Sequence, residues 1–208
     1  MPNLLNNIYE KNKKWIVAFL IGGNKYYTIW GLDLSEKENP QDKFLCNSSD
    51  EIVIFKNKKD IVKNLKYYES DFFDKDNFKK FANEIAETEP AKIKSDVIDC
   101  DFILTEFYRM KFTEDFLKNY AFFSGYVNLI NIIHDFVQQF NDELLLIQLE
   151  DKDIRNLWEH FYDLFIWRGT PYNYKNIEIK KTTSSKDKVV LKFELLLLNF
   201  SSKLASFH

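Results

Sequence analysis

The hydrophobic and polar positions of the chain follow a helical period most clearly over residues 121–140. Apolar side chains recur there at three- and four-residue steps, which is the spacing of one helix face. These apolar positions are Phe122, Tyr126, Leu129, Ile130, Ile133, Phe136, Val137 and Phe140. Polar residues, among them Asn131 and Asp135, fall on the other side. The pattern predicts a long, well-buried helix around which other elements pack.

A different pattern occupies the first third of the chain. Two runs of β-branched and aromatic residues, 15–21 and 26–31, are separated by Gly22-Gly23-Asn24-Lys25, and this arrangement predicts a hairpin. Short strands are expected at 44–46 and 51–55, with a turn at 47–50 between them. A helix follows from Asn57. The N-terminal part is therefore predicted to be an antiparallel sheet with a helix against it.

From residue 70 onward the period is helical. Asp74 or Asp76 is expected to cap a helix that buries Phe78, Phe81, Ala82 and Ile85. Residues 95–108 suit a helix only in part, because Asp99-Cys100-Asp101 weakens the pattern. An amphipathic helix is predicted over 151–168, with a loop or weak strand over 172–188. A closing helix is predicted over 189–207.

These elements define an α+β fold, with a small N-terminal antiparallel sheet and a helix followed by a mostly helical body. With 208 residues, no internal repeat and no linker, the simplest organisation is a single domain over 1–208, sheet-rich over 1–68 and helical over 69–208. The composition supports a real core, because 45% of residues are hydrophobic and 20 are Phe.

The two cysteines, Cys46 and Cys100, are too few for a disulfide scaffold or a Cys-based zinc site, and reduced thiols are expected. The run 15–21 follows lysines as in a signal peptide, but it lies at the short limit for one and leads into Gly22-Gly23. No run reaches the roughly 18 apolar residues that a membrane span needs. A cytoplasmic protein with no membrane partner is expected.

Charge is unevenly distributed along the chain. Residues 69–168 hold 11 basic and 21 acidic side chains, a net charge of −10, whereas the whole chain carries −3. One interpretation is a solvated surface that keeps the protein soluble. The other is an acidic binding face for a basic partner, formed by Asp142, Glu143, Glu150, Asp151, Asp153, Glu84 and Glu87. Such a field argues against nucleic acid as a direct partner, because phosphates are repelled.

A second group suggests a ligand pocket. Asn131, His134 and His160 combine carboxamide and imidazole groups that can bind a ligand or act as a base. However, His134 and Asp135 are adjacent on the helix and do not face each other. A structural histidine is therefore the favoured interpretation. Three His in the whole chain are few for a metal site, and neither a metal nor another cofactor is expected.

Other candidate groups give no convergent catalytic set. Asp99-Cys100-Asp101 matches a bare D-x-D pattern, but no Gly-rich nucleotide unit precedes it and no His neighbours Cys100 to activate it. An aromatic cluster of Trp158, Trp167, Arg168, Tyr172 and Tyr174 is interpreted as core, with a binding hot spot as the alternative. A third function class is an oligomerising protein joined through Trp158, Trp167 and Phe207. The favoured class is a binding protein that is not an enzyme.

The overall plan resembles that of bacterial immunity proteins, which neutralise the toxin domains of contact-dependent and other polymorphic toxin systems. The features that carry the resemblance are the hairpin KKWIVAFLIGGNKYYTIWGLDL, the acidic helical body and the missing catalytic set. The resemblance implies that the partner is a cognate protein toxin, basic and often a nuclease, whose active site or a neighbouring surface is blocked. It assigns no functional residue by position. The alternative is a small-molecule-binding protein or enzyme with a pocket near Asn131 and His134.

Overall fold

The computed structural model of the chain describes residues 4–35, 38, 40–68, 74–109, 119–162 and 185–206. The described helices are α1 Leu4–Asn12, α2 Lys58–Asn64, α3 Lys75–Ala86, α4 Cys100–Arg109, α5 Tyr120–Phe140, α6 Glu143–Leu149, α7 Lys152–Phe161 and α8 Lys186–Ser201. The described strands are β1 Lys14–Ile21, β2 Asn24–Leu32, β3 Asp42–Phe44, β4 Ile52–Ile54, β5 Asp96–Asp99 and β6 Leu204–Ser206. The α+β class predicted from the sequence is confirmed.

The chain divides into two compact units. Unit 1 comprises Met1–Ile98 together with Ser202–His208, and unit 2 comprises Asp99–Ser201. The boundary lies 30 residues after the predicted change from sheet to helix at 68, because α3 and the segment that follows it belong with the sheet. The assignment of 1–208 to one domain stays a prediction. Across the parts of the chain that the structure describes, none of the helices has the length and apolar character to cross a membrane.

Unit 1 is built on a four-stranded sheet in the order β3-β2-β1-β5, which is mixed and not purely antiparallel as the sequence predicts. The predicted hairpin is confirmed, with Ile21 opposite Asn24 and Lys14 opposite Gly31. Gly22 and Gly23 form the two-residue turn with φ of 59° and 74°, and glycine adopts these positive values without a Cβ penalty.

Helices α2 and α3 begin where the sequence places their caps, whereas the sequence analysis did not predict α1. The Asn57 side chain accepts a hydrogen bond from the Asp60 N–H, and the Asp74 carboxylate accepts from the N–H groups of Asp76 and Asn77. Each cap satisfies backbone donors that the first turn leaves without a helical partner. The predicted inward residues of α3 are all buried, namely Phe78, Phe81, Ala82 and Ile85.

The C-terminal end differs from the sequence-based prediction. The helix expected over 189–207 ends at Ser201, and β6 follows it. Strand β6 pairs in parallel with β4, and Ile52 lies opposite Leu204 in that pair. The helical period over 189–200 extends by chance into Leu204, but backbone pairing with a distant strand decides the local structure.

The first residue of β1 is a buried lysine. Lys14 is 0% exposed, and its ammonium donates hydrogen bonds to the carbonyl oxygens of Asn12 at 3.4 Å and Leu32 at 3.2 Å. Opposite Lys14, a Cβ on Gly31 would lie 2.3 Å from the Lys13 carbonyl oxygen, so only glycine fits there. Burial lowers the pKa of Lys14 from 10.5 to about 8, although the charge of Asp33 opposes this shift.

The burial of Lys14 predicts that the free energy of unfolding depends on pH in an unusual way. Between pH 8 and 10.5 the unfolded chain holds a proton on Lys14 that the folded chain has released, so the free energy of unfolding should rise with pH. Relative to Lys14→Met, which lacks this titration, the wild type should gain about 3 kcal/mol across that window. Urea unfolding of both proteins at several pH values measures the difference, in which the shared tyrosine titrations cancel. A difference that stays constant with pH would contradict the assignment.

Unit 2 is helical, and α5 is its longest described element, with 21 residues. The predicted inward side of α5 is buried except for Phe140, which is half-buried. Helices α4, α6 and α7 pack against α5. The Tyr126 hydroxyl donates to the Ile154 carbonyl oxygen at 2.7 Å and so joins α5 to α7. The ambiguous segment 95–108 is divided between β5 and α4, and the Asp99 carboxylate accepts a hydrogen bond from the Phe102 N–H in the first turn of α4.

Candidate protein-binding surface

Helix α6 presents apolar side chains to solvent. Asp142 begins the helix by accepting a hydrogen bond from the Leu145 N–H at 3.0 Å. Leu145 and Leu149 are buried and face the rest of unit 2. On the outward side, Leu144 is 55% exposed and Ile147 is 68% exposed. A helix of seven residues therefore buries one apolar side and exposes another.

Two carboxylates border this exposed side. Glu143 and Glu150 are both exposed, and they lie one turn before and one turn after Ile147. Positions separated by three or four residues share a helix face, so Ile147 lies between the two acidic side chains. The outward side of α6 thus combines an apolar centre with an acidic border.

Helix α8 packs against α6 and exposes a second apolar row. Leu191, Leu195 and Leu198 are 54%, 45% and 65% exposed. Their spacing places them on one face, opposite the buried Phe193 and Leu197. We call the outward residues of α6 and α8 the apolar surface of unit 2, namely Leu144, Leu146, Ile147, Leu191, Leu195 and Leu198.

The structure divides the predicted acidic residues of unit 2 by role. Asp142 and Asp151 are helix caps, each accepting a hydrogen bond from a backbone N–H, that of Leu145 and Asp153 respectively. The Asp151 carboxylate accepts a further hydrogen bond from the Lys192 ammonium. Asp153 is 0% exposed and its Oδ2 lies 2.7 Å from Lys192 Nζ. The expectation that Asp153 belongs to an exposed acidic face is therefore wrong, because its carboxylate is buried in an ion pair. Glu143 and Glu150 alone of this group are exposed carboxylates.

The other two predicted acidic residues lie in unit 1. Glu84 accepts hydrogen bonds from Lys11 Nζ at 2.6 Å and from Asn12 Nδ2 at 2.9 Å. Burial alone would raise the pKa of Glu84, but these two hydrogen bonds outweigh it and lower the pKa below its usual value. Glu87 is exposed just after the end of α3. Glu84 therefore ties α1 to α3.

The residues of the predicted ligand pocket lie in three different surroundings. Asn131 donates through Nδ2 to the Tyr162 hydroxyl at 3.0 Å and accepts through Oδ1 from Trp158 Nε1 at 2.8 Å. His134 is exposed. His160 is buried, with its ring 5.6 Å from the ring of Phe123, which precedes Asn131 by two turns of α5. Asn131 thus joins α5 to α7, and a common pocket for the three residues stays a prediction.

Cys100 lacks the character of a nucleophile. Burial, followed by the charges of Asp101 and Asp99, raises the pKa of the Cys100 thiol to about 12. A thiol with this pKa is almost entirely protonated near neutral pH. Cys46 is buried as well. In the described residues, no group of three or more His, Cys, Asp or Glu side chains is arranged to hold a metal ion.

The aromatic cluster near residue 158 is described only at its start. Trp158 is half-buried, and its ring lies 4.5 Å from that of Tyr162. Trp167, Arg168, Tyr172, Tyr174 and Phe207 lie outside the described residues. The hydrogen bond from Trp158 to Asn131 agrees with a structural role for the described part.

Sequence reasoning missed α6 and its apolar outward side. The available signal was the run of four apolar residues at 144–147, which is longer than one buried helix face requires. It also missed the burial of Lys14, for which the three lysines at positions 11, 13 and 14 give no signal.

Comparison with protein-family models and with curated protein sequences finds no match. Among solved structures, the chain is similar to the C-terminal domain of SatS, whose crystal structure was determined in complex with bromine. The TM-score is 0.61, the sequence identity is 14%, and the similarity covers 97% of each chain. At this identity the similarity extends to the fold alone, so it assigns no function to the residues described above.

Proposed function

We propose that the chain is a non-enzymatic protein-binding protein and that its contact with a partner is centred on the outward side of α6. The observation that carries the proposal is the exposure of Leu144 and Ile147 between Glu143 and Glu150. Exposed apolar side chains in a row, bordered by polar groups, are typical of interaction sites. The adjacent helix α8 also exposes apolar side chains, namely Leu191, Leu195 and Leu198.

The chemistry of this surface supports a partner of complementary chemistry. An apolar counterpart is needed opposite Ile147, and basic groups are needed opposite Glu143 and Glu150. Complementary charge at the border of an interface accelerates association, whereas buried apolar anchors supply most of the affinity. The partner is therefore a basic protein with an exposed apolar patch.

The particular partner that we propose is a cognate bacterial toxin domain, so that the chain acts as its immunity protein in the cytoplasm. The resemblance of the chain to such proteins supports this assignment, and the acidic border of α6 suits a basic toxin such as a nuclease. Binding at or beside the active site of the toxin would exclude its substrate. Nucleic acid itself is not a partner in this proposal, because the surface would repel phosphate.

The test uses a basic toxin domain encoded directly beside the gene for this chain. The double variant Leu144→Ser/Ile147→Ser should bind that domain about 100-fold more weakly, since two central apolar anchors are lost. The control Tyr67→Ser removes a side chain that is 74% exposed in unit 1 and should leave the affinity unchanged. Titration calorimetry measures both affinities, and thermal unfolding is used to check that each variant is as stable as the wild type. Equal affinity of wild type and double variant would exclude α6 as the contact.

Charge is tested separately from apolar contact. Glu143→Gln/Glu150→Gln should slow association and flatten its dependence on salt, because exposed charges act mainly on encounter rates. Stopped-flow association at several salt concentrations measures this. An unchanged salt dependence would remove the basic character of the partner from the proposal while leaving the apolar contact in place.

A further inference from the structure

Unit 1 contains a cavity of about 220 Å³ between three of its elements. Tyr9 and Glu10 of α1, Trp15 and Ile16 of β1, and residues 94–96 leading into β5 form its lining. Small-molecule pockets usually measure about 300–1,000 Å³, so this cavity has room for one small group or one side chain.

Two of the lining residues are aromatic, and contacts within the protein hold each ring in place. Tyr9 is 6% exposed, and its hydroxyl donates to the Lys94 carbonyl oxygen at 2.7 Å, which fixes the ring between α1 and the start of β5. Trp15 is half-buried, and its ring lies 5.6 Å from the ring of Trp30 on the neighbouring strand. Both rings are therefore positioned by contacts that exist before any ligand enters.

Two carboxylates accompany the rings. Glu10 and Asp96 are both exposed members of the lining. Burial raises the pKa of the Tyr9 hydroxyl, and the negative charge of Asp96 raises it further. The second effect agrees with a position of the Asp96 carboxylate close to Tyr9. The Lys94 carbonyl oxygen receives the Tyr9 hydrogen bond, while the Lys94 side chain is exposed.

One cation already contacts the lining from outside. Lys13 Nζ lies 3.1 Å from Glu10 Oε2, with both side chains largely in solvent. Exposed ion pairs of this kind contribute little, so a ligand cation can share or replace the contact.

We propose that this cavity binds an alkylammonium group, held against the Tyr9 and Trp15 rings with Glu10 and Asp96 as its counter-charges. Aromatic faces attract cations through the ring quadrupole, and carboxylates at the same place strengthen the preference. Anions are disfavoured by the same two carboxylates. The site lies in unit 1 and is independent of the proposed protein-binding surface on α6, so either proposal can fail alone. Two sources supply such a group, namely a small amine and the lysine side chain of a protein.

The experiment follows the Trp15 indole N–H signal by NMR, assigned with Trp15→Phe. The probes are n-butylammonium and the blocked tripeptide Gly-Lys-Gly, and their neutral counterparts are n-butanol and blocked Gly-norleucine-Gly. Both ammonium probes should shift the signal saturably, whereas the neutral counterparts should not. Tighter binding of the amine identifies a small-molecule ligand, and tighter binding of the tripeptide identifies a protein side chain. Either result supports the site.

Variants locate the interaction. Asp96→Asn, an exposed change that keeps the side-chain size, should weaken binding of n-butylammonium about threefold, the size of one partly exposed charge contact. Trp15→Leu should weaken it about tenfold through loss of the ring face. Glu87→Gln, an exposed change beyond the end of α3 and outside the lining, should have no effect. The proposal is overturned if neither ammonium probe shifts the signal, if the neutral counterparts shift it equally, or if Asp96→Asn leaves binding unchanged.

Discussion

Replacing Phe107 with alanine is expected to lower the free energy of unfolding of unit 2 by about 4 kcal/mol. Phe107 of α4 is 0% exposed, and its ring centre lies 4.4 Å from that of Phe193, 5.1 Å from that of Phe122 and 5.7 Å from that of Tyr126. The substitution removes an aromatic side chain that joins α4, α5 and α8. Three fixed neighbours would leave a cavity that collapses only in part, and this adds to the lost transfer free energy.

Two controls separate packing from other effects of a change at this place. Phe107→Leu keeps most of the volume and should cost about 1 kcal/mol. Thr105→Ala changes an exposed side chain on the same helix and should change stability by less than about 0.5 kcal/mol. Urea unfolding, followed by circular dichroism and by tryptophan fluorescence, measures all three. If Phe107→Ala cost no more than Thr105→Ala, the aromatic cluster would not be the core of unit 2.

The elements with strong local signals were predictable from the sequence. The period of α5 shows in the printed chain because its inward residues repeat along 21 consecutive positions. The hairpin depends on Gly22 and Gly23, which the required positive φ values select. Likewise, the start of α3 follows from Asp74, whose carboxylate can accept from the first free N–H groups. In each case neighbours in sequence carry the information.

The features that were missed depend on residues far apart in the chain. Strand β6 forms because Leu204–Ser206 pairs with Ile52–Ile54, and periodicity says nothing about such pairing. In the same way, a carboxylate at position 153 reads as solvent-exposed until Lys192 is placed beside it. Periodicity and composition report how a residue relates to its own element, whereas burial of a charge depends on the partner that another element brings.

For the candidate surface, local sequence rules could already separate some helix-capping acidic residues from those left exposed. Asp142 and Asp151 each precede a helical pattern, which is the position of a cap, and a cap carboxylate is engaged before any partner arrives. Their use as partner-binding residues was therefore the weaker interpretation from the start. Glu143 and Glu150 carry no such assignment, and they are the acidic residues that the structure leaves exposed around Ile147.

Replacing Lys192 with methionine is expected to cost about 3 kcal/mol, because it leaves the buried Asp153 carboxylate without its cation. Lys192 Nζ lies 2.7 Å from Asp153 and 2.8 Å from Asp151, and these two carboxylates raise the pKa of Lys192 through their hydrogen bonds. Lys188→Met, an exposed lysine one turn earlier on α8, is the matched control and should change stability by less than about 0.5 kcal/mol.

A double-mutant cycle identifies the cause. Asp153→Asn removes the buried charge and should cost about 1 kcal/mol, and in that background Lys192→Met should cost far less than it does alone, with a coupling of about 2 kcal/mol. Additive costs would mean that Lys192 acts through packing of its stem and not through its charge.

The same cycle decides how binding data on the acidic residues are interpreted. If neutralising Asp153 lowers both stability and partner affinity, the affinity loss follows from damage to the contact between α7 and α8. Glu143→Gln/Glu150→Gln changes charge without touching a buried pair, so a loss of affinity at unchanged unfolding free energy comes from the surface itself. Affinity lost only in the Asp153 variant would place the partner elsewhere than on α6.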